Sequence, residues 1–184
     1  WCMEILSPLP ALKRHFGFPA FRRFEGDTDV PLQQRAVEAA LKDESILTIF
    51  PTGGGKSLTF QLPALIRGEA RGALTVVISP LVSLMKDQVD GLNNKEIHRS
   101  ATLNSLHNPL ERREVIDRVE GGQVWFLYIS PEMLRSSTIH RLFMRRMIDR
   151  FVIDEAHCFS AWGQDFRPDY GYIGKFIRKL QEKK

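Results

Sequence analysis

Short apolar runs alternate with segments of helical spacing along most of this chain, and this alternation restricts the fold more than any other feature. The runs are uniformly apolar, as expected of strands in a parallel sheet that is covered on both faces. Those that we predict to be strands are 46–50, 74–79, 124–129 and 151–153, with a weaker run at 98–103. Helical patterns occupy the intervening segments 56–66, 81–92, 109–119 and 139–147. We therefore predict an α/β fold with a mostly parallel central sheet and helices on both faces.

The composition of the chain is typical of one globular domain. Its 184 residues are 43% hydrophobic and 26% charged, which argues against disorder, and no apolar run reaches the ~18 residues that a membrane-spanning helix needs. Two cysteines, Cys2 and Cys158, exclude a disulfide framework and a four-cysteine zinc site, which suits a reducing compartment. The net charge of +4 permits an acidic partner without specifying one. The chain begins at Trp1 without a signal-peptide pattern and ends directly after a predicted helix, and we expect a piece of a longer protein.

A glycine-rich loop lies between the first predicted strand and the helix that follows it, as a phosphate-binding loop requires. Glycines let backbone N–H groups turn toward an anion, Lys56 is placed to reach the β- and γ-phosphates, and Ser57 to bind Mg²⁺. The strict pattern has glycine where this chain has Phe50, so a glycine-rich turn with an incidental lysine is the alternative. The candidate nucleotide-binding residues of this loop are Thr52, Gly53, Gly54, Gly55, Lys56 and Ser57.

Two adjacent carboxylates follow the predicted strand at 151–153. A nucleotidase with a phosphate loop needs one acid to hold Mg²⁺ and a base to orient the attacking water. Asp154 suits the first role and Glu155 the second, since neighbours on a strand point in opposite directions. An isolated Asp-Glu pair is usually a solvated strand end, but the preceding phosphate loop favours the catalytic interpretation.

These two motifs resemble motifs I and II of superfamily 2 helicases, and the closer resemblance is to the RecQ family. Residues 16–22, within a segment of about 12–41, look like that family's motif 0, and residues 78–89 look like its motif Ia. Further matching blocks are 103–105, 128–132, the DEAH box 154–157 and the aromatic-rich loop 158–170. The resemblance covers about residues 12–180, with its motifs in the family's order.

The resemblance implies that residues 1–184 are the first RecA-like lobe of an ATP-dependent 3′-to-5′ DNA helicase. It implies ATP and Mg²⁺ as cofactors, and single-stranded and partly duplex DNA as partners. It also implies a second RecA-like domain in the same full-length chain, and a location at the nucleoid or in the nucleus. We expect that second lobe, with its arginine finger, to be absent here, so this piece alone should have little activity.

The family resemblance assigns residue roles in nucleotide binding and in the coupling of nucleotide state to DNA. Lys56 and Ser57 would hold phosphate and Mg²⁺, Asp154 would support Mg²⁺, Glu155 would activate water, and His157 would couple nucleotide state to DNA. Phe18 would stack on adenine and Arg22 would be a second nucleotide contact, although core packing and a surface charge are their alternatives. The adenine-reading glutamine is expected at Gln33, with Gln34 second, because Glu25 occupies the usual position. This implies an insertion of about eight residues near 26–32.

The DNA-binding candidates are Ser79, Trp162, Phe166 and Arg167. In the family the aromatic-rich loop senses single-stranded DNA, and stacking of bases on aromatic rings tolerates any sequence. The alternative is that these aromatics anchor the loop to the core. Gln164 replaces the usual histidine, and the basic segment 135–150, with five arginines, either lines a DNA path or is a solvated helix face.

Two other functions compete with the helicase interpretation. One is a nucleic-acid-binding module with negligible ATP turnover as an isolated fragment. The other is a P-loop kinase that acts on a small molecule, but such an enzyme has no use for the aromatic-rich loop or for the block 78–89.

Overall fold

The computed structural model describes residues 7–51, 53–159 and 168–183. The chain forms two compact units, Trp1–Arg71 and Gly72–Lys184, and each is treated by itself below.

The described residues of the first unit form three helices: α1 (Pro8–Phe16), α2 (Leu32–Leu41) and α3 (Leu58–Arg71). Proline in the first turn starts α1, and Gly17 ends it with a φ of 70°. Leu12, Val37 and Leu62, one from each helix, are fully buried together. The sequence predicted α2 and α3 but not α1.

Within its described residues, the second unit has four parallel strands in the order β2-β3-β1-β4. These strands are β1 (Leu74–Ile78), β2 (Ser100–Leu103), β3 (Phe126–Ile129) and β4 (Ile148–Ile153). The register pairs Ile78 with Ile129 on one side and with Ile153 on the other. As a result, the carboxyl ends of three neighbouring strands lie level with one another, which is where ligands bind in sheets of this type.

The described part of this unit also has four helices: α4 (Val82–Asn93), α5 (Pro109–Glu120), α6 (Ser137–Arg145) and α7 (Pro168–Gln181). Residues Pro131–Arg135 and Ala156–Phe159 form 3₁₀ turns. Side chains of α5, α6 and α7 pack with Val76, Ile78 and Leu127 in one hydrophobic core. Val77 and Tyr128, which alternate with those residues along the strands, are buried as well. The predicted α/β fold with a parallel sheet is thereby confirmed.

The prediction of a buried strand at 46–50 is wrong in this structure. Residues 44–51 form no strand, and Leu47 and Ile49 are 80% and 82% exposed. Only Phe50 is buried, with its ring against Phe24 at a centroid distance of 5.4 Å. An apolar run reports hydrophobicity, whereas a strand also needs a neighbouring backbone, and no described segment pairs with this one.

Candidate functional site

The glycines of the phosphate loop are required by its backbone. Gly53 and Gly55 have φ values of 71° and 74°, in the left-handed region that favours glycine. A side chain at Gly54 would put a Cβ 2.7 Å from the carbonyl oxygen of Pro51, which accepts a hydrogen bond from the Gly54 N–H at 2.9 Å. The loop therefore has the open backbone that a phosphate-binding loop needs, with Thr52 outside the described residues.

Lys56 and Ser57 lie in the turn immediately before α3. Their carbonyl oxygens accept hydrogen bonds from the N–H groups of Thr59 and Gln61, so the helical bonding pattern already begins at these residues. The Lys56 side chain is exposed and Ser57 is half-buried. An ammonium group, a hydroxyl and the N-terminal end of a helix are thus together, and all three favour phosphate and Mg²⁺.

Gln33 is buried beside this loop, and its side-chain amide bridges two backbone segments. Its Oε1 accepts a hydrogen bond from the Arg22 N–H at 2.9 Å, and its Nε2 donates to the Gly55 carbonyl at 3.1 Å. An added Cβ at Gly55 would lie 2.6 Å from the same Nε2. The structure therefore brings Gln33 to the phosphate loop as a brace of the backbone, a contact that spacing alone did not predict.

Arg22 also reaches the phosphate loop. Its guanidinium group donates a hydrogen bond to the Gly53 carbonyl and lies over the ring of Phe24 at 5.6 Å. Phe18 stacks on Phe16 with a centroid distance of 6.3 Å and is 45% exposed, so much of its surface is open. Gln34, the second glutamine candidate, donates to Glu38 on the same helix at 2.7 Å.

The acidic strand end continues the pairing of the sheet. The Asp154 N–H donates to the Ile78 carbonyl at 2.9 Å, which extends the contact between β4 and β1 by one residue. The Oδ1 of Asp154 accepts from the Glu155 N–H at 3.0 Å. Glu155 has a φ of 53°, an unusual conformation for a non-glycine residue and one often found at functional sites.

The turn after Asp154 is held by several further contacts. His157 Nδ1 lies 3.2 Å from Glu155 Oε2, with 56% of the histidine side chain and 27% of the glutamate side chain exposed. The Cys158 N–H donates to the Glu155 carbonyl at 2.9 Å. The hydroxyl of the fully buried Tyr170 donates to the Asp154 carbonyl at 2.9 Å. The sequence placed Tyr170 only at the end of an aromatic segment and did not predict this contact.

Ser79 lies at the carboxyl end of β1 and Ser130 at that of the neighbouring β3. Both are at most 2% exposed, and neither hydroxyl has a hydrogen-bond partner among the described residues. Ser79 therefore does not present its hydroxyl to solvent in this structure. The other DNA-binding candidates, Trp162, Phe166 and Arg167, lie outside the described residues, as does Gln164.

The described ranges have neither a metal-binding cluster nor a membrane-spanning helix. No group of three or more His, Cys, Asp and Glu side chains there is arranged to hold a metal ion. Across the same ranges, no helix has the length and apolar character needed to cross a membrane.

Solved structures of helicases share this fold. The crystal structure of the DUF1998 helicase MrfA superposes with a TM-score of 0.67 at 24% sequence identity, over 99% of this chain and 27% of that one. A crystal structure of the same helicase bound to DNA gives a TM-score of 0.65 at 23% identity, over 98% of this chain and 23% of that one.

Curated relatives are more similar in sequence. The chain is 40% identical to ATP-dependent helicase SGS1 of Saccharomyces cerevisiae over 99% of its own length and 12% of that protein's. It is 41% identical to the probable ATP-dependent DNA helicase RecS of Bacillus subtilis, over 92% of this chain and 31% of that one. It is 40% identical to ATP-dependent DNA helicase RecQ of Haemophilus influenzae, over 94% of this chain and 26% of that one. The chain thus spans less than a third of the length of these relatives, and the resemblance to RecQ-type helicases is confirmed.

A family model described as DEAD/DEAH box helicase matches residues 30–184. This match includes the phosphate loop, the acidic strand end and every strand of the sheet. The chain therefore belongs to the DEAD/DEAH box helicase family.

Proposed function

We propose that this chain is the ATP-binding motor lobe of a RecQ-type, 3′-to-5′ DNA helicase, in which ATP hydrolysis drives movement along single-stranded DNA. The observation that carries the proposal is the link from Arg22 through Gln33 to the phosphate loop, since these are the residues assigned to nucleotide recognition. The names of the relatives, all ATP-dependent helicases, support it. Such a motor would act at the nucleoid of a bacterium or in the nucleus of a eukaryote.

In this proposal the phosphate loop binds the triphosphate. Backbone N–H groups of 53–57 and the Lys56 ammonium neutralise phosphate charge, and the Ser57 hydroxyl supplies an oxygen ligand for Mg²⁺. Phe18 offers a half-exposed ring on which adenine can stack. Arg22 is held against the loop by its bond to the Gly53 carbonyl, so its charge stays close to the phosphates.

The acidic turn supplies the groups for hydrolysis. Asp154 supports Mg²⁺, and Glu155 accepts a proton from the attacking water, a role that typically contributes 10²–10⁴-fold in rate. His157, which lies against the Glu155 carboxylate, transmits the state of this turn toward the DNA side. Trp162, Phe166 and Arg167 form the DNA sensor, and Ser79 adds a phosphate contact. A second RecA-like domain and partly duplex DNA complete the set of partners.

A second candidate is a nucleic-acid-binding module with negligible ATPase activity as an isolated piece. It is favoured by one observation, that the chain spans 12% of the yeast relative and 31% of the Bacillus subtilis relative. In that case nucleotide and DNA bind, but turnover requires residues from elsewhere.

The test is ATPase activity stimulated by single-stranded DNA, measured on this chain and on a longer chain that continues through a second motor domain. We expect strong stimulation only in the longer chain, and its loss on Lys56→Ala. Phosphate transfer to a metabolite without DNA would contradict the proposal. Binding of nucleotide and DNA with no stimulated turnover in either chain would favour the second candidate.

A further inference from the structure

A strongly basic cleft of about 270 Å³ lies between α6 and α7 in the second unit. Its floor comes from the 3₁₀ turn Pro131–Arg135, and its walls from the first half of α6 and from α7. Apart from Tyr172, the titratable side chains that line it are basic: Arg135, His140, Arg141, Lys179 and Lys183. Arg135, His140 and Arg141 lie in the basic segment 135–150, for which a DNA path was one of two interpretations, and Lys179 and Lys183 were assigned no role.

Most of this positive charge is not neutralised locally. Arg135 pairs with Asp169 at 3.0 Å and lies over the ring of Tyr172 at 4.6 Å. Arg141, Lys179 and Lys183 are exposed and form no ion pair with any residue that the structure describes. Holding several like charges around a small space is unfavourable unless a counter-ion is present, so this arrangement favours an anion.

The N-terminal end of α6 opens onto the same cleft. Ser136 and Ser137 line it, and Ser136, the N-cap residue, makes no side-chain hydrogen bond to the helix. The first N–H groups of a helix have no partner within the helix and carry a partial positive charge. A phosphate oxygen in the cleft would supply the acceptor that the cap residue does not.

His140 adds an unpaired polar atom at this place. Its Nε2 is buried and has no hydrogen-bond partner within the described ranges. The edge of its ring meets Phe176 at a centroid distance of 6.1 Å, so the ring is held by the core. Burial and the ammonium groups of Lys183 and Lys179 lower the pKa of this histidine, in keeping with a positive field around it.

A simpler account explains part of the cluster. Lysines near the end of a helix compensate its dipole, and Lys179 and Lys183 lie at the end of α7. This does not explain Arg141 or the uncapped start of α6. An acidic peptide is a less suitable occupant, because Leu134 and Tyr172 are the only large apolar side chains of the cleft and a peptide needs apolar anchors.

We propose that this cleft binds a phosphate group of the DNA backbone, outside the path assigned to the aromatic-rich loop. The inference rests on the proposed DNA function and extends it to a second contact surface. The backbone phosphate would lie between Arg141 and Lys179, with the first turn of α6 as a further donor.

The test compares two doubly substituted chains that each lose two positive charges. The cleft variant is Arg141→Gln with Lys179→Gln, and the matched control is Lys175→Gln with Arg178→Gln, two exposed cations on α7 that do not line the cleft. Affinity for fluorescently labelled oligo(dT) is measured against salt concentration. We expect the cleft variant to bind about fivefold more weakly at low salt. Its slope of log affinity against log salt should fall by about 0.7, for one lost single-strand phosphate contact. The control should change little.

A second measurement uses the unmodified chain. The ring-proton NMR signal of His140 should move when oligo(dT) is added and should be restored by competing salt. The cleft proposal would be overturned if both variants bound oligo(dT) equally weakly, or if the cleft variant bound it as tightly as the unmodified chain. Either result would leave the helicase proposal intact. Competition by poly-glutamate as strong as that by oligo(dT) would overturn it in favour of an acidic protein. No DNA binding by the unmodified chain, with nucleotide binding intact, would instead contradict the proposed function itself.

Discussion

Gln33 connects the phosphate loop to the segment that precedes α2, because its amide accepts from Arg22 and donates to Gly55. It is 3% exposed, and both of its hydrogen bonds are partly buried. The same glutamine was predicted from spacing as a reader of adenine. Since one Nε2 hydrogen and one Oε1 lone pair are left over, the two roles are compatible.

Replacing this amide should weaken nucleotide binding through the loop. For Gln33→Ala we expect a loss of about 1–3 kcal/mol in the free energy of unfolding, because two buried hydrogen bonds disappear. Affinity for a fluorescent ATP analogue should fall with it. Gln34→Ala is the matched control, since that residue only pairs with Glu38 within α2. Equal nucleotide affinity in both variants would show that the bridge does not support the loop.

Glu155 combines a proposed catalytic role with a left-handed backbone, and two substitutions separate these properties. Glu155→Gln and Glu155→Gly should both reduce DNA-stimulated ATPase of the longer chain by 10² or more, because each removes the base. Only the glycine variant should relieve the backbone, which we expect to raise the free energy of unfolding by about 1 kcal/mol or less. The measurements are steady-state hydrolysis and urea denaturation. Retained hydrolysis in the glutamine variant would remove Glu155 from the mechanism.

At the scale of the elements, register decides which residues meet at the functional edge of the sheet. Because Ile78 is level with both Ile129 and Ile153, the residues that follow these strands are neighbours. Two of them, Ser79 and Ser130, carry buried hydroxyls without partners among the described residues. A buried hydroxyl without a partner lowers the free energy of unfolding, and such groups are often found at functional sites.

The serines therefore allow stability and function to be separated. Ser79→Ala should leave the free energy of unfolding unchanged or slightly higher, because an unsatisfied buried hydroxyl is removed. If Ser79 contacts DNA, affinity for oligo(dT) should fall at the same time. Ser130→Ala, at the adjacent strand end, is the comparison. Unaltered DNA affinity in the Ser79 variant would remove this residue from the proposed interface.

The packing of α6 against α7 predicts a pH dependence. The pKa of His140 lies below its ordinary value of 6.5, first because the ring is buried and then because of Lys183 and Lys179. The unfolded chain therefore takes up this proton more readily, so stability is fully present above pH 6.5 and falls as the pH drops below it. When the pH is lowered from above 6.5 to below it, the His140→Gln variant should lose less free energy of unfolding than the unmodified chain, as measured by urea denaturation. Parallel pH profiles would contradict the assignment.

At the scale of the whole molecule, the chain is a small part of the proteins it resembles. It spans 12% of the yeast relative and 31% of the Bacillus subtilis relative. An arginine supplied from a second domain typically contributes 10³–10⁵ in rate.

We therefore predict a large difference in ATP turnover between this chain and a longer chain with both motor domains. ATPase activity of the 184 residues alone should be lower than that of a chain with both motor domains by about three orders of magnitude or more. Affinity for nucleotide should differ far less, because the phosphate loop is present in both. Comparable turnover would show that this lobe is catalytically self-sufficient.

The sequence by itself determined the chemistry and the type of fold. Uniformly apolar runs between helical patterns predicted β1, β3 and β4 and the helices that cover the sheet, because hydrophobic periodicity is a local property. Gly53, Gly55 and Lys56 were assigned to a phosphate loop in the same way, from a continuous glycine-rich motif before a predicted helix, although residues 46–50 before it form no strand.

Only the tertiary structure decided which distant groups meet. The bridge from Gln33 to Gly55, the bond from the Tyr170 hydroxyl to Asp154 and the basic cleft join residues from different elements. The apolar segment 46–50 shows the same limit of sequence-based prediction. Its apolar run predicts a buried strand, but whether it is buried depends on the presence of a backbone partner. Apolar spacing and short motifs are read along the chain, whereas hydrogen-bond partners and burial arise from contacts between residues far apart in it.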